Sequence, residues 1–359
     1  MRKIIVFATS ALVFAGFLAP AQEKWEVASG VPGTYSYSYH NEPSGMNSQS
    51  NYQLTAFELN AIKQKMQAVS DLMRKNRIFN PCTGFDAVAR GEFTFNDQAP
   101  NQKAYRQLTS RFPQWQVYCE LTGFLKSTSG KVKHYGGQPA EILCRVNDLT
   151  PSAPAYLNYR QMSYSSDADA AYKNACDKSN EIFRQPAVVK EIQPGVTAFS
   201  DGTVFVYKPG KPLWKSLTFE EYFKLQLEMY RQIALQDKLD PESPDGLVAL
   251  FKKDVAGFPA EWLKMPCQSA ENLMKNLNIE FNELPTLSGV FPIYGNYMRI
   301  DPGYFDPALP KSAIQVICIT PAFDLEGTDC IEEEAWYAAR CRFVSGVDFS
   351  AFQQLLSGQ

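Results

Sequence analysis

The sequence contains few of the residues and motifs from which catalytic and metal sites are usually built. It has only two histidines, His40 and His134, and it has neither a CxxC pair nor an HExxH motif. These absences argue against a zinc site and against a thiol oxidoreductase. A G-x-S-x-G elbow is also missing, and we interpret both histidines as solvated loop residues. The sequence therefore predicts no metal ion and no cofactor.

The chain also lacks an excess of basic residues and a long apolar run. Its 35 basic and 38 acidic residues give a net charge of −3, and a mildly acidic chain lacks the electrostatic footprint of a nucleic-acid-binding protein. The main apolar stretch, residues 4–18, is shorter than the roughly 20 residues that a membrane-spanning helix needs. We therefore predict no nucleic-acid partner and no membrane span in the mature chain.

Residues 1–21 have the three zones of a cleavable signal peptide. Arg2 and Lys3 form a basic start, residues 4–18 are apolar, and Ala19 and Ala21 are the small residues before the cleavage site. The alternative is a short buried helix, but such a helix would show polar residues on one face. The pattern therefore predicts a secreted or periplasmic protein.

The chain has eight cysteines, which fall into two groups of four on either side of a long segment without cysteine. An even number in an exported chain favours disulfide bonds. We therefore predict that each half is closed by its own disulfides. The alternative is that some are buried thiols, since reduced cysteine behaves as a small apolar residue. The disulfide candidates are Cys82, Cys119, Cys144, Cys176, Cys267, Cys318, Cys330 and Cys341.

Hydrophobic periodicity predicts an α+β fold with mixed helices and antiparallel-type strands in two disulfide-stapled halves. Capping boxes at Thr55 and Thr218 mark the starts of two amphipathic helices. Between them the residues favour short strands, and a strand is also predicted near the C-terminus over residues 335–344. After the signal peptide we predict a flexible lead-in over residues 22–53, an N-terminal domain over 54–186 and a C-terminal domain over 187–359.

An acidic segment beside an aromatic pair is the candidate catalytic site. A glycosidase needs two carboxylates that face a sugar ring, and a calcium loop also uses clustered carboxylates. The structural alternative is a solvated acidic loop between two strands. The candidate residues are Asp324, Glu326, Asp329, Glu332 and Glu333.

Alternating tyrosines form the candidate binding site. Tyr35, Tyr37 and Tyr39 would share one face if residues 35–39 were a strand, and would then form a flat platform. Trp336 is a further candidate for ligand contact. The alternative is that the tyrosines belong to the flexible lead-in or are packed in a core. These aromatics suggest a glycan or a protein as the ligand.

Two stretches of the sequence resemble segments of exported bacterial proteins of unassigned function. They are residues 59–66 together with 79–85, and residues 304–315. The resemblance implies a bacterial envelope setting and carries no functional residues with it. We therefore predict a secreted or periplasmic binding or structural protein without catalysis. The alternative is a carboxylate-dependent hydrolase that acts on an extracellular polymer such as a glycan.

Overall fold

The structure is a computed structural model, and a defined part of the chain is described in it. The described residues are 23–40, 53–94, 111–148, 170, 173, 183–184, 188–199, 202–268, 270–280, 297–320 and 334–357. The strands are β1 (Trp25–Val27), β2 (Tyr35–Tyr39), β3 (Phe85–Phe93), β4 (Trp115–Ser127), β5 (Val132–His134), β6 (Ala140–Val146), β7 (Phe183–Arg184), β8 (Val188–Gln193), β9 (Val196–Phe199), β10 (Val204–Val206), β11 (Trp214–Ser216), β12 (Tyr297–Ile300) and β13 (Ile317–Thr320). The α-helices are α1 (Ala56–Arg74), α2 (Phe219–Gln236), α3 (Leu247–Ala256), α4 (Ala270–Leu277), α5 (Ala335–Arg342) and α6 (Phe349–Gln354), with 3₁₀ turns at Trp262–Lys264, Pro302–Tyr304 and Val344–Gly346.

A ten-stranded mixed sheet is the main element of the fold. Its order is β2-β3-β4-β6-β13-β10-β9-β8, and β1 and β5 also pair with β4. The pairs are antiparallel except for β2 and β3, and α1 forms the crossover that a parallel pair requires. A smaller sheet has the order β11-β12-β7. The predicted α+β class is confirmed.

The main core lies between this sheet and the helices on its inner face. Strands β3, β4 and β6 alternate buried and half-buried residues, as expected for strands with one apolar face. Helix α1 begins at a capping box formed by Thr55 and Glu58. The apolar stripe of α1 is fully buried at Ile62, Met66 and Val69. The sequence-based prediction of this helix is therefore confirmed.

Two further clusters complete the fold. On the opposite face of β9, β10 and β13, Phe199, Phe205 and Trp214 pack edge to face with ring centroids 5.0–5.6 Å apart. A separate cluster holds α2, α3 and the turn at Trp262–Lys264 together around Phe219, Phe223, Phe251 and Phe258. The C-terminal strands are thus covered on both faces. Half-buried polar residues occupy the outer face of β3, β4 and β6.

The prediction that disulfides staple each half is wrong, because five of the eight candidate cysteines are thiols. Five described cysteines are buried thiols: Cys82, Cys119, Cys144, Cys267 and Cys318. The physical reason is visible in the register of the sheet, where Cys119 lies opposite Ile142 and Cys144 lies opposite Val117. These thiols therefore face apolar partners across the strands, and burial raises the pKa of both. Cys341 is disulfide-bonded, and Cys176 and Cys330 lie outside the described residues.

Several other predictions can be compared with the described residues. Residues 335–344 were expected to form a strand, but Ala335–Arg342 is helix α5, in agreement with the high helix propensity of its alanines. Part of the expected lead-in is ordered as β1 and β2. Within the described residues, no helix has the length and apolar character to cross a membrane. The signal-peptide segment lies outside the described residues.

The predicted division into two domains stays a prediction. Strand β6, from the predicted N-terminal half, pairs with β13 from the predicted C-terminal half, with Val146 opposite Ile317. One sheet therefore includes strands from both sides of residue 186. A domain boundary at residue 186 would divide the strands of this sheet between two domains.

Candidate functional site

The candidate residues from the sequence lie in three different settings. The acidic candidates Asp324, Glu326, Asp329, Glu332 and Glu333 lie outside the described residues. Trp336 is completely buried, and its contact with a ligand stays a prediction. Its indole packs against Tyr135 and Tyr337.

The three alternating tyrosines do form a strand, β2. Their side chains are half-buried and pack against the main core, while Ser36 and Ser38 are on the exposed face. The Tyr35 hydroxyl donates to the Ser70 carbonyl at 3.1 Å, which links β2 to helix α1. Tyr35, Tyr37 and Tyr39 therefore join the strand to the core, and their rings do not form an exposed platform.

The described structure contains an open apolar groove between two helices, which we call the helical groove. It is lined by Phe223 and Leu227 of α2, by Phe251, Val255 and Ala256 of α3, and by Leu263 of the following 3₁₀ turn. Its volume is about 280 Å³, and almost all of its lining surface is apolar. This size is close to the lower end of the range for small-molecule sites, roughly 300–1,000 Å³.

The sequence places α2 at the groove through local signals. Thr218 and Glu221 form a capping box, in which the Glu221 N–H donates to the Thr218 hydroxyl at 3.2 Å and the Thr218 N–H donates to Glu221 Oε2 at 3.0 Å. Lining residues Phe223 and Leu227 are four positions apart, so they lie on one face of the helix. The box fixes where the helix begins and therefore which residues face the groove.

Aromatic contacts support the floor of the helical groove. The Phe223 ring meets Phe251 edge to face with centroids 6.1 Å apart and meets Phe258 at 5.2 Å. Phe258 in turn packs on Phe219 at 4.9 Å and on Trp262 at 5.6 Å. Such ring pairs add to the stability from burial, so the groove rests on a packed and preformed surface.

Charged side chains surround the opening of the helical groove. Lys224 and Lys252 line it, and so does Glu220, whose Oε1 is 2.6 Å from Lys224 Nζ. The hydrogen bond from Lys224, its charge and that of Lys264 all hold the pKa of Glu220 below its usual range. Glu242 lies 2.7 Å from Lys252. The rim is thus a small network of exposed ions around an apolar floor.

A second group of polar residues lies on the outer face of the sheet. Glu120 of β4 and Glu141 of β6 are directly opposite each other, an arrangement that is unfavourable for two like charges. The Tyr118 hydroxyl donates to Glu141 Oε1 at 2.5 Å and is 3.2 Å from Glu120 Oε1. Arg90 Nη2 is 2.9 Å from Glu120 Oε2. Burial, and then the two carboxylates, raise the pKa of Tyr118.

His134 is a residue of strand β5, where the sequence predicted a solvated loop. Its Nε2 is 2.8 Å from Asp86 Oδ2, and its ring stacks on Phe124 with centroids 5.3 Å apart. Thr34 donates its backbone N–H and its hydroxyl to Asp86 Oδ1 at 2.7 and 3.0 Å. These contacts hold β5 and the chain before β2 against the start of β3.

Sequence reasoning missed the helical groove and the carboxylate pair. A partial signal existed for the pair, because Tyr118 and Glu120 are two positions apart in a predicted strand and so share one face. The position of Glu141 beside them depends on the register between β4 and β6, which the sequence does not reveal. The groove requires two helices that are distant in sequence to pack side by side.

Among the described residues, no group of three histidine, cysteine, aspartate or glutamate side chains is arranged to hold a metal ion. Comparisons of the chain with known protein families, with curated proteins and with solved structures found no match.

Proposed function

We propose that this chain is an exported binding protein without catalytic activity and that the helical groove holds the apolar part of a small ligand. The observation that carries the proposal is the lining of the groove, which is almost entirely apolar although the groove is open to solvent. Small-molecule sites are typically concave and mostly apolar, with a few polar groups at their edge.

Two further observations support this proposal. The groove is preformed, because Phe223, Phe251 and Phe258 are mutually packed beneath it, and a preformed site loses little conformational entropy on binding. The proposal of export rests on the signal-peptide pattern of residues 1–21.

Filling the groove tests the proposal. Ala256 is an exposed residue that lines the groove, so an Ala256→Phe side chain would occupy it without entering the core. Ala260, which is also exposed, provides the matched control Ala260→Phe. We expect the neutral apolar dye N-phenyl-1-naphthylamine to bind the wild-type protein and the control, and to bind Ala256→Phe at least about tenfold more weakly. Equal binding to all three proteins would disprove the proposal.

A second candidate function, hydrolysis of an extracellular polymer, is favoured by the carboxylate pair on the sheet. Tyr118 Oη is 2.5 Å from one carboxylate oxygen and 3.2 Å from the other, so the two oxygens are at most 5.7 Å apart, which is 2.5 plus 3.2. Retaining glycosidases place their two carboxyl groups about 5–5.5 Å apart. We rank this function second because Glu120 is already paired with Arg90, on the face of a sheet.

Turnover assays separate the two functions. If the pair is catalytic, polysaccharide hydrolysis by the purified protein should fall at least about a hundredfold in Glu120→Gln and in Glu141→Gln. Ala256→Phe should then leave the hydrolysis rate unchanged. Absence of turnover with a panel of glycans, together with dye binding in the groove, would support the binding protein.

A further inference from the structure

We propose that this chain forms a symmetric dimer in which strand β2 pairs antiparallel with the β2 of a second copy, so that the two main sheets join into one. The proposal is independent of the helical groove. It is drawn from the position of β2 at the edge of the sheet, from the sequence of this strand and from the charges of the neighbouring helix α1.

Strand β2 is an edge of the main sheet. It pairs with β3 on one side, and no other described strand lies on its other side. In the parallel ladder the Ala87 N–H donates to the Thr34 carbonyl at 2.8 Å, and backbone groups alternate between the two sides along a strand. The N–H and C=O groups of Tyr35 and Tyr37 therefore point away from β3. Backbone groups in this position can pair with an added strand.

The opposite edge of the sheet, β8, differs from β2 in ways that hinder such pairing. The ladder between β8 and β9 shifts its register twice, between Val188 and Lys190 and between Glu191 and Gln193. Bulges and charged side chains are devices by which proteins block an edge strand. Strand β2 keeps a regular register with β3, and residues 35–39 include neither a charged residue nor a proline. Strand β2 therefore has neither of these devices.

The sequence of β2 favours a second copy of the same strand as the partner. Residues 35–39 read YSYSY, which is the same in both directions. When two such strands pair antiparallel about a two-fold axis at Tyr37, every tyrosine lies opposite a tyrosine and every serine lies opposite a serine. Aromatic cross-strand pairs stabilise a sheet, whereas like charges directly opposite each other destabilise it. This self-complementary strand therefore suits the isologous contact of a two-fold dimer.

Two charges on helix α1 are complementary in the same register. Lys63 Nζ lies 4.2 Å from the centre of the Tyr39 ring, at one end of β2. The Tyr35 hydroxyl donates to the Ser70 carbonyl at 3.1 Å, which brings the next residue, Asp71, to the other end of the strand. The two-fold axis places Tyr39 of one copy beside Tyr35 of the other. Lys63 therefore approaches Asp71 of the second copy, and the dimer makes this contact twice.

Both members of this contact are available for it. Within the described part of the chain, neither Lys63 nor Asp71 has an ion-pair partner. The other charged residues on and next to α1 are Glu58, Lys65, Arg74 and Lys75. Glu58 and Lys65 bond to other parts of the chain at 2.8 and 2.6 Å. Arg74 lies about 4.5 Å beyond Asp71 along the helix axis, so Asp71 is the nearer of the two to Lys63 of the second copy.

The test is self-association of the purified protein, measured by sedimentation velocity over a range of concentrations. Ser36 and Ser38 are exposed, and in the dimer Ser36 of each copy lies opposite Ser38 of the other. Ser36→Glu with Ser38→Glu would place like charges opposite each other at both contacts. Ser36→Lys with Ser38→Glu would place opposite charges there, and it is the matched control because the two variants differ at position 36 alone.

The expected result is a dimer of the wild-type protein that becomes more populated as the concentration rises. The first variant should dimerise at least about tenfold more weakly than the wild type, because two cross-strand pairs become repulsive. The matched control should dimerise within about threefold of the wild type or more tightly.

Reversal of the α1 charges is an independent measurement. Lys63→Asp should weaken the dimer at least about fivefold, since it would place an acidic side chain beside Asp71 of the second copy. Lys63→Asp with Asp71→Lys should restore the dimer, a result that loss of the contact between Lys63 and the Tyr39 ring would not produce. Lys126 is an exposed lysine on β4, and Lys126→Asp, the control for charge reversal, should change dimerisation less than about twofold.

Three outcomes would overturn the proposal. The first is a wild-type protein that remains monomeric up to about 100 μM. The second is a dimer that both position-36 variants weaken equally, because it would form through another surface. The third is a loss of dimer in Lys63→Asp that Asp71→Lys does not restore. This last measurement also decides the question if the serine variants do not fold, since neither Lys63 nor Asp71 is buried.

Discussion

The close contact between Gly123 and Trp336 provides a sharp test of the core. Gly123 lies on the inner face of β4, and the fully buried ring of Trp336 from α5 is directly above it. A β-carbon added at Gly123 would overlap the six-membered ring of Trp336. Its distance to the nearest ring atoms would be below 3.0 Å, and real β-carbons essentially never come so close to another heavy atom. Gly123→Ala therefore requires either the strand or the indole to move.

Neither movement is easy. Gly123 of β4 is paired with Phe85 of β3, so the neighbouring strand holds β4 in place. Ordinary carbon–carbon contacts are about 3.5–4.0 Å long, so the indole would have to move away by a large distance. Overpacking a core costs about 1–3 kcal/mol and occasionally more. Because an aromatic ring and a paired strand are both constrained here, we expect a loss of about 3 kcal/mol. That loss corresponds to a fall of about 1 M in the urea midpoint for a large protein.

The measurement is urea unfolding followed by tryptophan fluorescence. A β-carbon at Gly136 would meet no atom within 4 Å, so Gly136→Ala is the control and should change stability by less than about 0.5 kcal/mol. In a Trp336→Leu background, the cost of Gly123→Ala should fall to less than half of its value in the wild type, because the two sites interact directly. A Gly123→Ala protein as stable as the control would show that the packing of α5 on β4 is different from that described.

Three further predictions follow from the described contacts. The five thiols of Cys82, Cys119, Cys144, Cys267 and Cys318 are buried, so Ellman's reagent should modify them slowly in the folded protein and rapidly in urea; fast reaction of the native protein would contradict their burial. Burial raises the pKa of Asp86, but the hydrogen bonds from His134 and Thr34 outweigh it and hold this pKa below its ordinary value. The stability from this group is thus present above the pKa of the unfolded state and is lost as the pH falls through the folded pKa, so the urea midpoint of Asp86→Asn should vary less with pH than that of the wild type between about pH 5 and pH 2. Thr218→Ala removes the hydroxyl from the capping box of α2 and should cost about 1 kcal/mol, whereas an unchanged midpoint would mean that the box does not stabilise the helix.

Local signals predicted the helices well and the cysteines poorly. The capping boxes at Thr55 and Thr218 act within one turn of chain, so the sequence alone places both helix starts correctly. The prediction of disulfides rested on the even number of cysteines and on the expected export of the chain. Val117, Cys119 and Leu121 alternate along β4, which indicates that the side chain of Cys119 faces the core. Burial of a thiol as a small apolar side chain is then enough to explain a cysteine at this position.

The features that depend on contacts between distant parts of the chain could not be predicted from the sequence, for a physical reason. The helical groove depends on α3 packing beside α2, and the carboxylate pair depends on the register that places Glu141 opposite Glu120. Register is set by the whole buried face of a sheet and by its turns, so no short segment encodes it. A strand was predicted where helix α5 lies. Trp336 and Tyr337 favour strands, whereas the alanines of this segment favour a helix.

The pairing of β6 with β13 has a consequence for how the chain folds. About 170 residues separate these two neighbours in the sheet, and at a synthesis rate of roughly 5–20 residues per second the second strand follows the first by about 10–30 s. During that interval the edge of β6 has backbone groups without their final partner, and such edges pair readily with other chains. Folding is therefore expected to be post-translational and slow, as for other topologies rich in distant contacts. A fragment that ends before residue 317 should aggregate, because it contains β6 without the strand that covers its edge.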